Sequence, residues 1–163
     1  MKNPAKGKVD RRGWVRTVQQ QVQEPPTVAT AEEMLAIAWA YFGPRWMAGV
    51  PRILYPADDE YVCPTVEEAL GIVQASKVDH DQYYDGGFDC DDFAYTLKAH
   101  VCEAAYADGE RRLPYCFGIL WAAKPAHALN WMINDDGILR LVEPQRGAVV
   151  PFENYTQFYL ALI

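Results

Sequence analysis

Three side chains able to perform covalent chemistry follow one another along this sequence: Cys90, then His127, then Glu143. A thiolate attacks electrophilic carbon, an imidazole takes and returns the thiol proton, and a carboxylate orients the imidazole. Each residue alone is weak support for a site. Their order on one predicted helix and two predicted strands favours a nucleophile, its base and an orienting acid.

Cys90 is predicted to begin a helix. One face of that helix is apolar and consists of Phe93, Ala94, Leu97, Val101 and Ala105. The free N–H groups and the positive dipole end at a helix N-terminus favour a thiolate and can hold a developing oxyanion. Asp91 and Asp92 follow directly and oppose a thiolate by like charge. The sequence therefore predicts a cationic partner near Cys90, either an imidazolium or a metal ion.

The carboxylate predicted to orient His127 lies on a neighbouring strand. Residues 127–133 read as a strand, residues 134–137 as a hairpin turn ending in Asp-Gly, and residues 138–143 as the return strand. This hairpin sets Glu143 opposite Asn130 or Leu129, and so close to His127 within the register error.

The other two histidines are weaker partners for Cys90. His100 lies ten residues further along the same predicted helix, too far away at about 1.5 Å per residue. His80 lies in a loop, and no neighbouring residue indicates that its side chain points toward Cys90. We interpret it as a surface residue.

Two more helices and a further strand complete the predicted body. Capping boxes at Thr30 with Glu33 and at Thr65 with Glu68 begin helices over residues 31–41 and after residue 65. Residues 115–121 read as a strand. We expect residues 1–27 to form a basic arm, disordered or packed back, and residues 28–163 to form one domain.

Charge and hydropathy exclude several classes of protein. The chain has a net charge of -7, although residues 1–27 are basic, so nucleic-acid binding by the acidic body is not expected. No segment approaches the roughly 18 apolar residues of a membrane helix, and no Sec-type signal peptide is recognisable. We expect a cytoplasmic or phage- or virion-associated protein with no membrane partner.

The remaining cysteines are interpreted as free thiols. No CxxC pair is present, so a zinc site and a disulfide framework are not expected. Cys102 and Cys116 stand among apolar residues and are predicted to be core residues, and Cys63 is placed in a loop.

Three segments resemble the active-site blocks of a known superfamily: GGFDCDDFA around Cys90, AHALNWMINDDG around His127 and LVEPQ around Glu143. They are similar to the papain-like and transglutaminase-like cysteine peptidases. Within these, residues 30–155 most resemble the C-terminal protease domain of Marasmius oreades agglutinin and its bacterial and phage relatives. The resemblance implies an α+β fold in which a helical lobe, with the nucleophile at a helix N-terminus, packs on an antiparallel sheet.

The resemblance also implies a function. It makes the chain a papain-like thiol hydrolase that cleaves peptide or isopeptide bonds of a protein or peptide substrate through a Cys-His-Glu triad, with transglutaminase-like crosslinking as a variant. A catalytically silent peptide-binding module and a peptidoglycan-peptide amidase are the alternatives. The carbohydrate-binding trefoil of the agglutinin has no counterpart here, so sugar binding is not carried over.

Further residues carry roles by resemblance. Gln82 is the candidate oxyanion donor, eight residues before Cys90, against a competing interpretation as a solvated loop residue. Calcium is the candidate ion, since members of this branch resemble calcium-dependent proteases. Its candidate ligands are Asp89, Asp91 and Gln145, together with Glu143. The oligomeric state is left open.

Overall fold

A computed structural model describes residues 27–109 and 112–163, so the predicted arm lies outside the described residues apart from Thr27. The helices are α1 Ala31–Phe42, α2 Val66–Ser76 and α3 Cys90–Ala107. The strands are β1 Thr27–Thr30, β2 Glu60–Cys63, β3 Phe117–Lys124, β4 Ala126–Ile133, β5 Leu139–Glu143, β6 Ala148–Val150 and β7 Thr156–Leu162.

A five-stranded antiparallel sheet in the order β6-β5-β4-β3-β7 forms the centre of the described structure. β1 and β2 pair as a separate antiparallel ribbon. The ribbon joins the sheet through a parallel bridge between Val62 and Tyr115. Strand β3 is therefore paired on both sides, with β4 through a hairpin and with the C-terminal strand β7.

Local sequence explains where the helices begin. The Thr30 hydroxyl accepts a hydrogen bond from Glu33 N–H at 3.3 Å, and Glu33 Oε2 accepts one from Thr30 N–H at 2.9 Å. Thr65 caps α2 in the same way by accepting from Glu68 N–H at 3.0 Å. The predicted helix starts are confirmed, because these side chains satisfy N–H groups that the first turn leaves free.

Helices cover both faces of the sheet. α1 contributes Met34, Ala38 and Phe42 to a core on one face. α2 and α3 pack with Phe117 and Met132 on the other face. The predicted apolar stripe of α3 is confirmed, since all five of its members are buried. The predicted papain-like fold class is wrong, because the helices lie on both sides of a mostly antiparallel sheet and do not form a separate helical lobe.

Alternation along β4 assigns its side chains to the two cores. Leu129 and Trp131 face α1, whereas Ala128 and Met132 face the side of α3. Between them, the buried amide of Asn130 also turns to α3. It donates from Nδ2 to the carbonyl oxygens of Ala94 at 3.0 Å and Gly118 at 3.2 Å. This amide fixes the first turns of α3 against β3 and β4.

Gly118 provides a direct test of packing in β3. A Cβ at this position would overlap the carbonyl oxygen of Leu162 and the indole ring of Trp131. We expect Gly118→Ala to lower the free energy of unfolding in urea by about 2 kcal/mol or more, because neither backbone nor a fully buried indole can move aside. Gly71→Ala is the matched control, since nothing lies within 4 Å of its added Cβ in α2. That variant should be about 0.5–1 kcal/mol more stable than the wild type, and equal effects of the two substitutions would contradict this packing.

Candidate functional site

His127 is held at the start of β4 by Glu143. Nε2 of His127 lies 2.6 Å from Glu143 Oε2, and both side chains are largely buried, with 18% and 7% of their surfaces exposed. The register pairs Asn130 with Val142, which sets Glu143 opposite Leu129 and diagonally next to His127. The pairing predicted from the hairpin turn is confirmed.

Two further groups lie near Glu143. The backbone N–H of Gln145 donates to Oε1 at 3.2 Å, and the Tyr155 side chain lies close enough to the carboxylate for its charge to act on the phenol. The ring of Tyr155 also stacks on His127, with centroids 6.1 Å apart and planes at 15°. Burial raises the pKa of Tyr155, and the negative charge of Glu143 raises it further.

The hydrogen bond to Glu143 determines which imidazole nitrogen is available. An ionised carboxylate only accepts, so Nε2 of His127 carries the proton in this pair. In the neutral imidazole, Nδ1 is then the free acceptor. The arrangement can therefore take up a proton at Nδ1 while Glu143 stabilises the imidazolium.

Cys90 begins α3, as predicted, and is half-buried. It packs against a small cluster of Ala94, Ile119 and Ala128, together with Trp121. Ligand atoms of Asp89, Cys90 and Asp91 lie within 4.8 Å of one another. The thiol is therefore partly accessible, at a helix N-terminus and between two carboxylates.

Asp89 and Asp91 are in direct contact. Two effects raise the pKa of Asp91: the larger is its interaction with the Asp89 carboxyl, and the smaller is partial burial. Asp92 turns back instead and accepts from the Asp89 N–H at 3.1 Å, which closes the first turn of α3. A cation placed at Asp89 and Asp91 would relieve their repulsion.

Cys90 and His127 lie at the same end of the sheet but are not joined. In residues 27–109 and 112–163, no hydrogen bond connects the thiol to the imidazole. Ala128 faces Cys90, and adjacent side chains of a strand point to opposite faces, so His127 turns toward Tyr155. The predicted order is thus present, and the pairing of Cys90 with His127 stays a prediction.

The remaining candidate ligands lie in two places. Gln82 is exposed in the loop before α3 and accepts from the Tyr84 hydroxyl at 2.9 Å. Gln145 belongs with Glu143 at the end of β5, whereas Asp89 and Asp91 belong with Cys90.

The structure corrects two interpretations of the other cysteines. Cys102 is exposed on α3, because it lies off the apolar stripe, so its prediction as a core residue is wrong. Cys63 is buried in β2 and not in a loop, because β2 pairs with the distant β1. Cys116 is buried as predicted. Sequence reasoning also missed Tyr155, whose stacking on His127 depends on a strand near the C-terminus.

Comparison with known proteins identifies the family. The family model described as "Agglutinin C-terminal" matches residues 61–149, which is more than half of the chain. The chain belongs to this family. The agglutinin part of the resemblance seen in the sequence is confirmed, whereas membership of the papain-like superfamily is not. No curated protein matches the chain.

Solved structures share the fold of this agglutinin C-terminal domain. One is described as a complex of PSL1a with E64, and a second as Polyporus squamosus lectin bound to a human-type influenza-binding epitope, Neu5Aca2-6Galb1-4GlcNAc. Each is 24% identical with a TM-score of 0.70 and covers 83% of this chain. The chain spans only about half of each, 51% and 49%.

These findings contradict the functional predictions. The family is an agglutinin family and a solved structure of the same fold is a glycan-bound lectin, so the predictions of a papain-like thiol hydrolase and of a protein or peptide substrate are wrong on these comparisons. Among the described residues, no helix has the length and hydropathy needed to cross a bilayer.

The pKa of Tyr155 reports the charge of Glu143. We expect Glu143→Gln to lower the pKa of Tyr155 while leaving it above the ordinary value, since burial is the larger cause and remains. Ultraviolet titration of the phenolate measures it, with Tyr155→Phe identifying the signal. Glu153→Gln, an exposed acid in the same segment, is the control. An unchanged Tyr155 titration in Glu143→Gln would contradict the contact.

Proposed function

We propose that this agglutinin-family domain captures an electrophilic ligand covalently at Cys90. The observation that carries the proposal is the placement of a half-buried thiol at the N-terminus of an 18-residue helix, at the same end of the sheet as the His127–Glu143 pair. N–H groups of the first turn favour a thiolate there and can hold an oxygen anion that forms as a ligand carbon is attacked.

His127 and Glu143 have supporting roles in this proposal. Nδ1 of His127 is the nitrogen left free by Glu143, and we assign to it the role of accepting the thiol proton. Glu143 stabilises the imidazolium that results. Gln82 is the proposed side-chain donor to the oxygen anion, because its amide nitrogen is left available when its oxygen accepts from Tyr84.

A solved structure of the same fold is a complex of PSL1a with E64, so a protein of this fold binds that compound. The complex belongs to a protein 24% identical to this chain. Its transfer to Cys90 is part of our proposal.

We propose calcium as the ion bound beside the thiol. Asp89 and Asp91 supply oxygen atoms in one cluster, and the raised pKa of Asp91 reflects a carboxylate pair that a divalent cation would relieve. Gln145 would have to join from the end of β5. When bound, the ion would add positive charge next to Cys90. This charge would offset the negative charge of Asp91, which opposes a thiolate.

Glycan recognition is a second candidate function, favoured by the lectin structure bound to a sialylated epitope. Tyr83 and Tyr84 are exposed before α3 and offer aromatic faces to a sugar ring. The carboxylates of Asp89 and Asp91 repel a sialic acid, so the neutral sugars would have to make the contacts unless a cation intervenes.

Alkylation separates the proposed roles. We expect iodoacetamide and E64 to label Cys90 fastest in the folded protein, and His127→Ala to slow this labelling by about 10-fold or more through loss of the proton acceptor. Peptide mass spectrometry measures the rate at each cysteine. Exposed Cys102 is the internal control for simple access. Labelling of Cys102 faster than Cys90, or an unchanged rate in His127→Ala, would contradict the proposal.

The same assay tests the ion and the glycan. Calcium should change the Cys90 rate in the wild type and not in Asp91→Asn, with Asp79→Asn, an acid outside the cluster, as control. A glycan that occupies this surface should protect Cys90 from the reagent. Absence of both protection and binding by the trisaccharide would leave covalent capture as the function of this surface.

A further inference from the structure

Cys63 and Cys116 form a buried sulfur pair away from the proposed site. Cys63 ends β2 and Cys116 directly precedes β3, and both belong to the core on the α1 side of the sheet. Each side chain is the largest influence on the pKa of the other, although the two residues are 53 positions apart in the chain. Neither sulfur has a role in the chemistry assigned to Cys90.

Backbone pairing explains why the two side chains meet. Val62 N–H donates to the carbonyl oxygen of Pro114 at 2.8 Å, and Cys116 N–H donates to the carbonyl oxygen of Val62 at 2.8 Å. This is the pattern of a parallel bridge between Val62 and Tyr115. The next residues, Cys63 and Cys116, are therefore neighbours across the bridge with side chains on the same face.

The spacing of the pair suits a disulfide. Neighbouring strands lie about 4.8 Å apart, and disulfides join Cα atoms that are about 4.4–6.8 Å apart. Two thiols on the same face of neighbouring strands need only rotate to bond. We propose that Cys63 and Cys116 are a redox-sensitive pair that a peroxide converts into a disulfide, which covalently joins the β1–β2 ribbon to the five-stranded sheet.

A small oxidant has a route to Cys63. Cys63 is one of the residues around a surface cavity of about 380 Å³ between β1, α1 and the 134–137 turn. Glu33 and Asp135 also line this cavity, so a neutral peroxide enters more readily than an anionic oxidant. Cys116 is fully buried and does not line this cavity.

The pair divides the chemistry between an attacking and a resolving thiol. Interaction with the Cys116 thiol lowers the pKa of Cys63, and the same interaction together with burial raises the pKa of Cys116. The Cys63 thiolate attacks one peroxide oxygen, so the O–O bond breaks, and after proton uptake a sulfenic acid and water remain. Cys116 then attacks the sulfenic sulfur, the S–S bond forms, and a second water molecule leaves.

The disulfide would close a covalent loop that includes the segment carrying Cys90. Residues 63–116 contain both α2 and α3. Closing so long a loop stabilises a protein by constraining its unfolded chain. The oxidised domain should therefore melt on the order of 5–10 °C above the reduced one, and dithiothreitol should reverse the shift.

Peptide mapping after oxidation tests the pair. The purified chain is treated with hydrogen peroxide in slight excess, then denatured and alkylated. We expect a linked peptide containing Cys63 and Cys116, with the loss of two hydrogen atoms per chain, and the same link in the matched control Cys102→Ser. Cys63→Ala should abolish both the link and the melting shift. If that variant fails to fold, the wild-type map still decides.

Two results would overturn the inference. In the first, Cys63 and Cys116 both remain fully alkylatable in denaturant after an oxidation that consumes other thiols. In the second, the linked peptide contains Cys90 or Cys102 in place of either member of the pair.

Discussion

The buried amide of Asn130 fastens α3 to the middle of the sheet. Its two N–H donors satisfy the carbonyl oxygens of Ala94 and Gly118, one on the helix and one on β3. Asn130 is fully buried, so both bonds form away from water and hold the helix and the strand at fixed positions. Because Ala94 lies one turn beyond Cys90, the same hydrogen bond places the thiol at the end of the sheet where β4 begins.

Side chains alternate between the two faces of β4, so the residues around Cys90 and those around His127 lie on different faces. Ala128 and Asn130 face α3, whereas His127 joins Glu143 and Tyr155. Thiol and imidazole share one end of the sheet, and no hydrogen bond joins them in the described residues. The agglutinin family and the glycan-bound lectin of the same fold account for the failure of the peptidase interpretation. The sulfur pair at Cys63 lies at the bridge between the two sheets, so its chemistry is independent of both groups.

Local signals in the sequence predicted much of this arrangement. Threonine caps give the starts of α1 and α2, and the apolar stripe gives α3. The Asp-Gly turn sets the register that brings Glu143 to His127, at 2.6 Å. Strands that pair over long distances were missed. β7 pairs with β3 and delivers Tyr155, and β2 depends on β1, so no local pattern reveals either one.

One error came from a pattern that was available. A strand starting at His127 must send Ala128 and His127 to opposite faces, and only one of them can face α3. Ala128 is small and apolar and packs beside the small residues Ala94 and Cys90. This indicates that Ala128, and not His127, faces α3. The number of helices also says nothing about whether they share one face of a sheet. That choice depends on which strand residues are large, such as Trp131 toward α1.

Equilibrium unfolding of Asn130→Ala in urea tests the role of this amide most directly. The structure predicts a loss of about 1–3 kcal/mol, because the variant loses both hydrogen bonds of the buried amide and leaves a cavity between α3 and the sheet. Asn154→Ala, an exposed asparagine, should differ from the wild type by less than about 0.5 kcal/mol. An Asn130→Ala protein as stable as the Asn154→Ala protein would contradict the claim that this side chain holds the helix of Cys90 in place.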